Sequence, residues 1–203
     1  MDPEVRAGCH ERTAIDIEFP MTEYANTSQV RAAREQYFAA NGFSDATYRD
    51  AWVHVKIGRI PLMFPNTRSR QRAIPLHDLH HVATGYATTL VGEGEIGAFE
   101  VAGGCGRYWA AWFLNASAMT WGLALSPRRI YRAFIRGRHS RTLYQTGWSD
   151  ELLELTVGEL RRRVEIDREP KATWGDRAAF AGWVGILVTP GVVVGALIAG
   201  FLR

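Results

Sequence analysis

Residues 72–100 read RAIPLHDLHHVATGYATTLVGEGEIGAFE, and this stretch decides both the fold class and the chemistry to look for. Pro75 suits the first turn of a helix and Thr84-Gly85 suits a stop, so the spacing predicts a short capped helix over the histidines. A second helix follows, carrying Glu93, Ile96, Phe99 and Glu100. At about 100° per residue, His77 and His81 fall one above the other on one helical face, with Asp78 on its shoulder. Two imidazoles and a carboxylate then point the same way, and Glu93 can fold back as a fourth ligand. Three of the six histidines lie in this one pentapeptide, a concentration that favours a built site over a solvated helix face. The expected centre is His77, Asp78, His81 and Glu93 around a divalent metal. Zinc leads for such mixed nitrogen and oxygen donors, with iron(II), manganese and cobalt also compatible. The pattern differs from the zinc-protease His-Glu-x-x-His, because aspartate is one methylene shorter and suits ligation better than a general-base role. His80 either adds a ligand or faces solvent.

Working outward, the apolar spacing is helical nearly throughout. A first helix is expected from a Thr27 or Ser28 cap to Asn41-Gly42, with Val30, Ala33 and Tyr37 as its inner stripe. A second is expected from Ser44 or Asp45 to about Gly58, presenting Tyr48, Trp52 and Val55. The prolines and basic cluster of RIPLMFPNTRSRQRAIP then read as a loop. Tyr108–Ser126, YWAAWFLNASAMTWGLALS, reads as the central core helix. Trp109, Trp112, Phe113, Met119 and Trp121 would line that core or an isoprenoid groove. Ser126-Pro127 opens a basic amphipathic helix with Ile130, Tyr131, Phe134 and Ile135 on one side and Arg128, Arg129, Arg132 and Arg136 on the other. That basic face is either solvated or meets a membrane surface or a phosphate. Nucleic acid is not indicated, because the aromatics do not interleave with the basic residues. A last helix follows from around Trp148-Ser149 to about Ile166. No strand alternation of useful length occurs, so the expected fold is all-α: one domain of five to seven helices with an apolar C-terminal helix.

That helix is read from Ala178 to Leu202, AAFAGWVGILVTPGVVVGALIAGFL, an uncharged run of about 25 residues and long enough for a bilayer core of about 30 Å. Pro190 and the glycines make it a poor soluble helix, whereas in lipid they are ordinary. Arg168, Lys171 and Arg177 precede the run and Arg203 follows it, so the positive-inside bias keeps the main domain on the cytoplasmic side. Gly191, Gly195 and Ala199 form a small-residue stripe compatible with helix pairing and a homodimer. The expected organisation is an irregular segment 1–26, a helical metal-binding domain 27–167, a linker 168–177 and a membrane helix 178–202. Cys9 and Cys105 form no Cys-x-x-Cys pair, and the polar start carries no secretory signal, so a reducing compartment is expected. The net charge of +3 is mild and largely arginine, which points to a local patch rather than a polyanion binder.

The signature His77-Asp78-x-x-His81-x11-Glu93 resembles that of the coenzyme Q (ubiquinone) biosynthesis protein 4 family. IYRAFIRGRHSRTLYQTGWSDELLELTVGELRRRVEI is similar to the family's closing segment, and the likeness covers roughly residues 45–167. The resemblance implies a divalent metal, usually described as zinc, and action at a membrane on polyprenylated aromatic quinone precursors. It also implies oxidative removal of the ring C1 carboxylate with hydroxylation there, or a non-catalytic lipid-binding scaffold for other quinone-biosynthesis proteins. Typical members lack an apolar tail like 178–202. On this reading the ring sits at the metal, and the polyprenyl chain runs along Trp109, Trp112 and Phe113, with Arg132 and Arg136 as further substrate contacts. A metal-dependent hydrolase is the remaining alternative and would need a general base, for which His80 and Glu95 are nearest.

Overall fold

The computed structural model describes residues 23–57, 60–166 and 170–201. It is mostly helical, as expected, with one hairpin. The helices are α1 (Val30–Asn41), α2 (Arg68–Thr84), α3 (Leu90–Gly103), α4 (Trp109–Leu125), α5 (Pro127–Arg138), α6 (Glu151–Glu154), α7 (Val157–Arg163) and α8 (Trp174–Phe201). The strands β1 (Trp52–Ile57) and β2 (Ile60–Pro65) lie between α1 and α2.

α1 follows its sequence. Val30, Ala33 and Tyr37 are buried, and Gly42 ends the helix in the left-handed conformation at φ 67°. The expected second helix is not formed. Asp45–Tyr48 make a single 3-10 turn, and β1 then pairs antiparallel with β2, Val53 opposite Phe64 and Val55 opposite Leu62. The physical reason is the alternating β-branched run Val53, Val55, Ile57 together with Pro61 and Pro65. The prolines cannot serve a helix interior but are tolerated in a two-stranded ribbon. Trp52 is half exposed there rather than in the core.

α2 begins earlier than the sequence indicated. The Thr67 side chain accepts from the Arg70 N–H, so Pro75 falls inside the helix instead of in its first turn. Pro75 removes one backbone bond, a loss that α2 sustains through its packing against α1, α4 and α7.

α3, not α4, is the central helix. Residues 94–101 of α3 are buried without interruption, whereas α4 buries only Ala110, Ala111, Asn115, Met119 and Gly122. Hydropathy could not rank the two; side-chain size does. Gly97 lies so close to α4 that an added Cβ would stand 2.6 Å from the Asn115 carbonyl oxygen, and one on Gly137 of α5 would stand 2.1 Å from the Phe99 carbonyl. Close approach of these backbones needs small residues on the facing sides. The large side chains of α4 are therefore turned outward, and Trp109, Phe113, Trp121 and Leu125 are each more than half exposed.

α5 starts with Pro127 as expected, and Ile130, Phe134 and Ile135 are buried. Its arginines divide. Arg129 makes a bidentate pair with Glu95 at 2.9 and 2.6 Å, and Arg136 donates to the Thr84 carbonyl, while Arg128 and Arg132 are exposed. The single helix expected over 149–166 is instead two, α6 and α7. Between them Thr156 bridges to Gln29 and forms a reciprocal cap with Glu159.

The expected linker 168–177 is shorter than the sequence suggested, because α8 starts at Trp174. Asp176 accepts from the N–H and hydroxyl of Thr173, from Arg138 and from His139, fastening α8 to α5. Trp183 stacks on Trp112 at 6.0 Å, and Phe180 packs edge-on to Tyr131 and Phe134. Among the described residues no helix is long and apolar enough to cross a membrane. The part of the apolar run with described side chains ends at Thr189, and 12 residues from Ala178 reach only about 18 Å. The remainder, including Gly191, Gly195 and Ala199, falls outside the residues whose side chains are described, as do residues 1–22.

Candidate metal centre

α2 supplies two imidazoles from one face and α3 supplies the carboxylate. His77, His81 and Glu93 bring ligand atoms within 4.8 Å of one another. The two imidazole Nε2 atoms are 3.2 Å apart, and the two Glu93 oxygens divide between them, Oε2 at 3.6 Å from His77 and Oε1 at 3.6 Å from His81.

The tautomers explain why these nitrogens face each other. The Nδ1 of His81 lies 2.8 Å from the Tyr86 carbonyl, which can only accept, so Nδ1 carries the proton and Nε2 presents a lone pair. The Nδ1 of His77 lies 3.0 Å from the Glu100 carboxylate, which leaves its Nε2 directed at the same point. Once the His77 Nε2 proton is displaced, two lone pairs and a carboxylate converge at this distance, an arrangement that suits a cation between them. Around zinc, with bonds of about 2.0–2.1 Å, tetrahedral ligand atoms stand about 3.3 Å apart, and the observed spacing fits that within a few tenths of an ångström. These donors therefore fit a divalent metal, with three protein ligands among the described residues.

Asp78 is not in that group. It sits about 100° round the helix from His77, and there the hydroxyls of Tyr48 and Tyr37 donate to it. Burial raises its carboxyl above the ordinary value, against the pull of His77, Tyr48 and His81. Its effect on the centre is indirect, since Tyr37 stacks on the His81 ring at 5.5 Å.

His80 neither ligates nor faces solvent. It is fully buried, its Nε2 accepts from the Leu143 N–H at 2.8 Å, and its Nδ1 therefore donates to Glu100 at 2.6 Å. Glu95 is likewise committed to Arg129, so neither residue is free to act as the base that a hydrolase would need.

Glu100 is the residue that sequence reasoning did not single out as part of the site. It is completely buried and accepts from His77, His80, Asn115 and Tyr144, the last at 2.8 Å. A signal was present, since Glu93 and Glu100 are seven residues apart and share a face of α3. Burial alone would raise the Glu100 carboxyl, but His77 and His80 outweigh it and hold it well below the usual carboxylate range. In turn, burial pulls His77 down, yet Glu100 and Glu93 leave it well above an ordinary histidine. Burial keeps His81 below the ordinary value.

Without metal, His77 therefore holds a proton that Nε2 can donate to His81. That proton stabilises the metal-free fold fully below the ordinary histidine range, and its contribution is lost as pH rises through the elevated value. A metal must displace it. Zinc binding is expected to release a proton at neutral pH and to weaken as pH falls. Calorimetric titration in buffers of different ionisation enthalpy reads the proton directly, and a buffer-independent heat would contradict it.

Of the residues expected to contact substrate, only Arg136 is linked to the centre: its guanidinium lies over the Tyr86 ring, and the Tyr86 carbonyl holds His81. Trp109 and Phe113 are on the outer face of α4, Trp112 is stacked on Trp183 and donates to the Gly106 carbonyl, and Arg132 is exposed. No family model matches the chain, and no curated protein or solved structure matches it either.

Proposed function

We propose that this chain is a metal-dependent protein of polyprenyl quinone biosynthesis, acting at C1 of a prenylated hydroxybenzoate. The observation that carries the reading is the pair of Nε2 atoms 3.2 Å apart beside Glu93, three protein ligands among the described residues where a tetrahedral ion takes four. A structural site closes its coordination with protein donors, whereas an open position is what chemistry requires. The resemblance of His77-Asp78-x-x-His81-x11-Glu93 to the signature of the coenzyme Q biosynthesis protein 4 family supplies the substrate class. A bound divalent metal would orient the ring carboxylate and stabilise negative charge there. In the overall reaction the ring carboxylate leaves as carbon dioxide, dioxygen supplies the new hydroxyl oxygen, and a two-electron reductant carries the second oxygen atom to water. The chain's own residues orient the centre: Glu100 and the Tyr86 carbonyl fix the two imidazoles, and Tyr37 lies against His81.

A non-catalytic lipid-binding scaffold is the second reading, favoured by the outward row of Trp109, Phe113, Trp121 and Leu125. Large exposed apolar side chains gathered on one helix suit contact with an apolar partner. In either reading the site faces the cytoplasmic side of a membrane, and α8 continues into the apolar run as its anchor. The test is carbon dioxide release from a prenylated hydroxybenzoate under air, with a reductant present, by wild-type protein and by His77→Ala. Release by the wild type that His77→Ala abolishes supports the enzyme. Retention of the carboxylate by intact, metal-loaded protein leaves the scaffold.

A further inference from the structure

The His81 ring has two neighbourhoods. Its Nε2 faces His77 and Glu93, and its flank forms part of the wall of a cavity of ≈ 180 Å³. Tyr24, Tyr37 and Tyr86 give that cavity three aromatic walls, and Asn41 and Thr88 give it polar ones. It opens beside Ala40 and Thr89, both exposed. The sequence placed the ring at the metal and its polyprenyl chain along the tryptophans of α4, and named none of these cavity residues except the ligand His81 as a substrate or metal contact.

Volume selects the occupant. An apolar cavity of about 150 Å³ accommodates benzene, whereas pockets for drug-sized ligands start at about 300 Å³. The lining selects further. Aromatic rings prefer edge-to-face or offset contact with other rings, and three tyrosines offer both. At the polar wall, the Thr88 hydroxyl donates to the Asn41 side-chain oxygen, and one Asn41 amide hydrogen goes to the Tyr37 carbonyl. The threonine oxygen keeps a lone pair and the asparagine keeps a second N–H, which match the donor and acceptor of a phenolic hydroxyl.

We infer that this tyrosine-lined cavity is a binding site for a single hydroxylated benzene ring, seated against His81 with larger substituents leaving past Ala40 and Thr89. The site refines the proposed function, because it rests on that reading for its link to catalysis. Ring binding itself requires no metal. A ring in this position lies against the His81 imidazole, whose Nε2 faces His77 and Glu93. The tail of a prenylated ring stays outside the cavity, and a ring with no tail is bound as well as one that has it.

The test is titration of phenol into metal-free and zinc-loaded protein, followed by aromatic nuclear magnetic resonance shifts, for wild type, Ala40→Phe and Ala87→Phe. The Ala40 side is exposed, so Ala40→Phe blocks the mouth without disturbing the core, and Ala87→Phe fills the interior. Saturable phenol binding in the wild type is expected in both metal states, at least tenfold weaker in both variants, with zinc affinity measured on the same samples unchanged. No saturable binding by the wild type, or equal binding by all three proteins, overturns the cavity assignment. Zinc binding without phenol binding would leave the metal reading standing, and phenol binding without zinc binding would remove the metal reading and leave the cavity.

Discussion

Glu100→Gln is expected to lose about 3–5 kcal/mol of stability and to weaken zinc binding about 10- to 100-fold. The side chain is almost the same size, so no cavity opens. What changes is the direction of the hydrogen bonds. One carboxylate oxygen of Glu100 accepts from His77 and His80, and the other accepts from Asn115 and Tyr144. All four donors are satisfied by a group that can only accept. An amide presents N–H where two donors already point, leaving buried hydrogens opposed to hydrogens and a buried histidine without its counter-charge. Each such buried polar group left unmatched costs about 1–3 kcal/mol. The sign with pH is equally clear. Because the Glu100 carboxyl is held below the usual range, its stabilisation is present above the ordinary carboxylate value and disappears as pH falls through the lowered one. Urea unfolding of metal-free wild type and variant at neutral and acid pH measures the difference. A variant as stable as the wild type, with unaltered zinc affinity, would mean that this carboxylate holds neither the fold nor His77.

The second large effect separates three ligands from four. His81→Ala removes one of the facing imidazoles and is expected to weaken zinc binding by about three orders of magnitude, a share of about 4 kcal/mol in a site worth about 10–16 kcal/mol. Asp78→Asn is expected to cost less than about tenfold, since Asp78 takes hydrogen bonds from Tyr37 and Tyr48 and stands outside the ligand group. Competitive titration against a chromophoric chelator reads both. If Asp78→Asn loses as much zinc as His81→Ala, the aspartate is a direct ligand in the bound state. The four-residue set read from the sequence would then replace the three-residue one.

The sequence by itself determined the helical class, the span of α1 with its inner residues, the Pro127 start of α5, and the convergence of His77, His81 and Glu93. All of these depend on short-range periodicity. Residues three, four or seven apart in a helix must share a face, and glycine and proline punctuate the chain wherever they stand. Tertiary structure decided the rest. The chain between α1 and α2 became a hairpin because alternating β-branched residues and two prolines outweighed a spacing that also suited a helix. α3 took the centre because its glycines let α4 and α5 come within backbone contact, which no hydropathy value records. The roles of Asp78, His80 and Glu100 depended on which neighbours arrived from α1, α4 and the segment around Leu143 and Tyr144. Three polar residues of similar appearance in sequence thus became a tyrosine acceptor, a locked core imidazole and the buried counter-charge of a ligand. A side chain's direction follows from its own helix, but the group it meets there is set by parts of the chain many residues away.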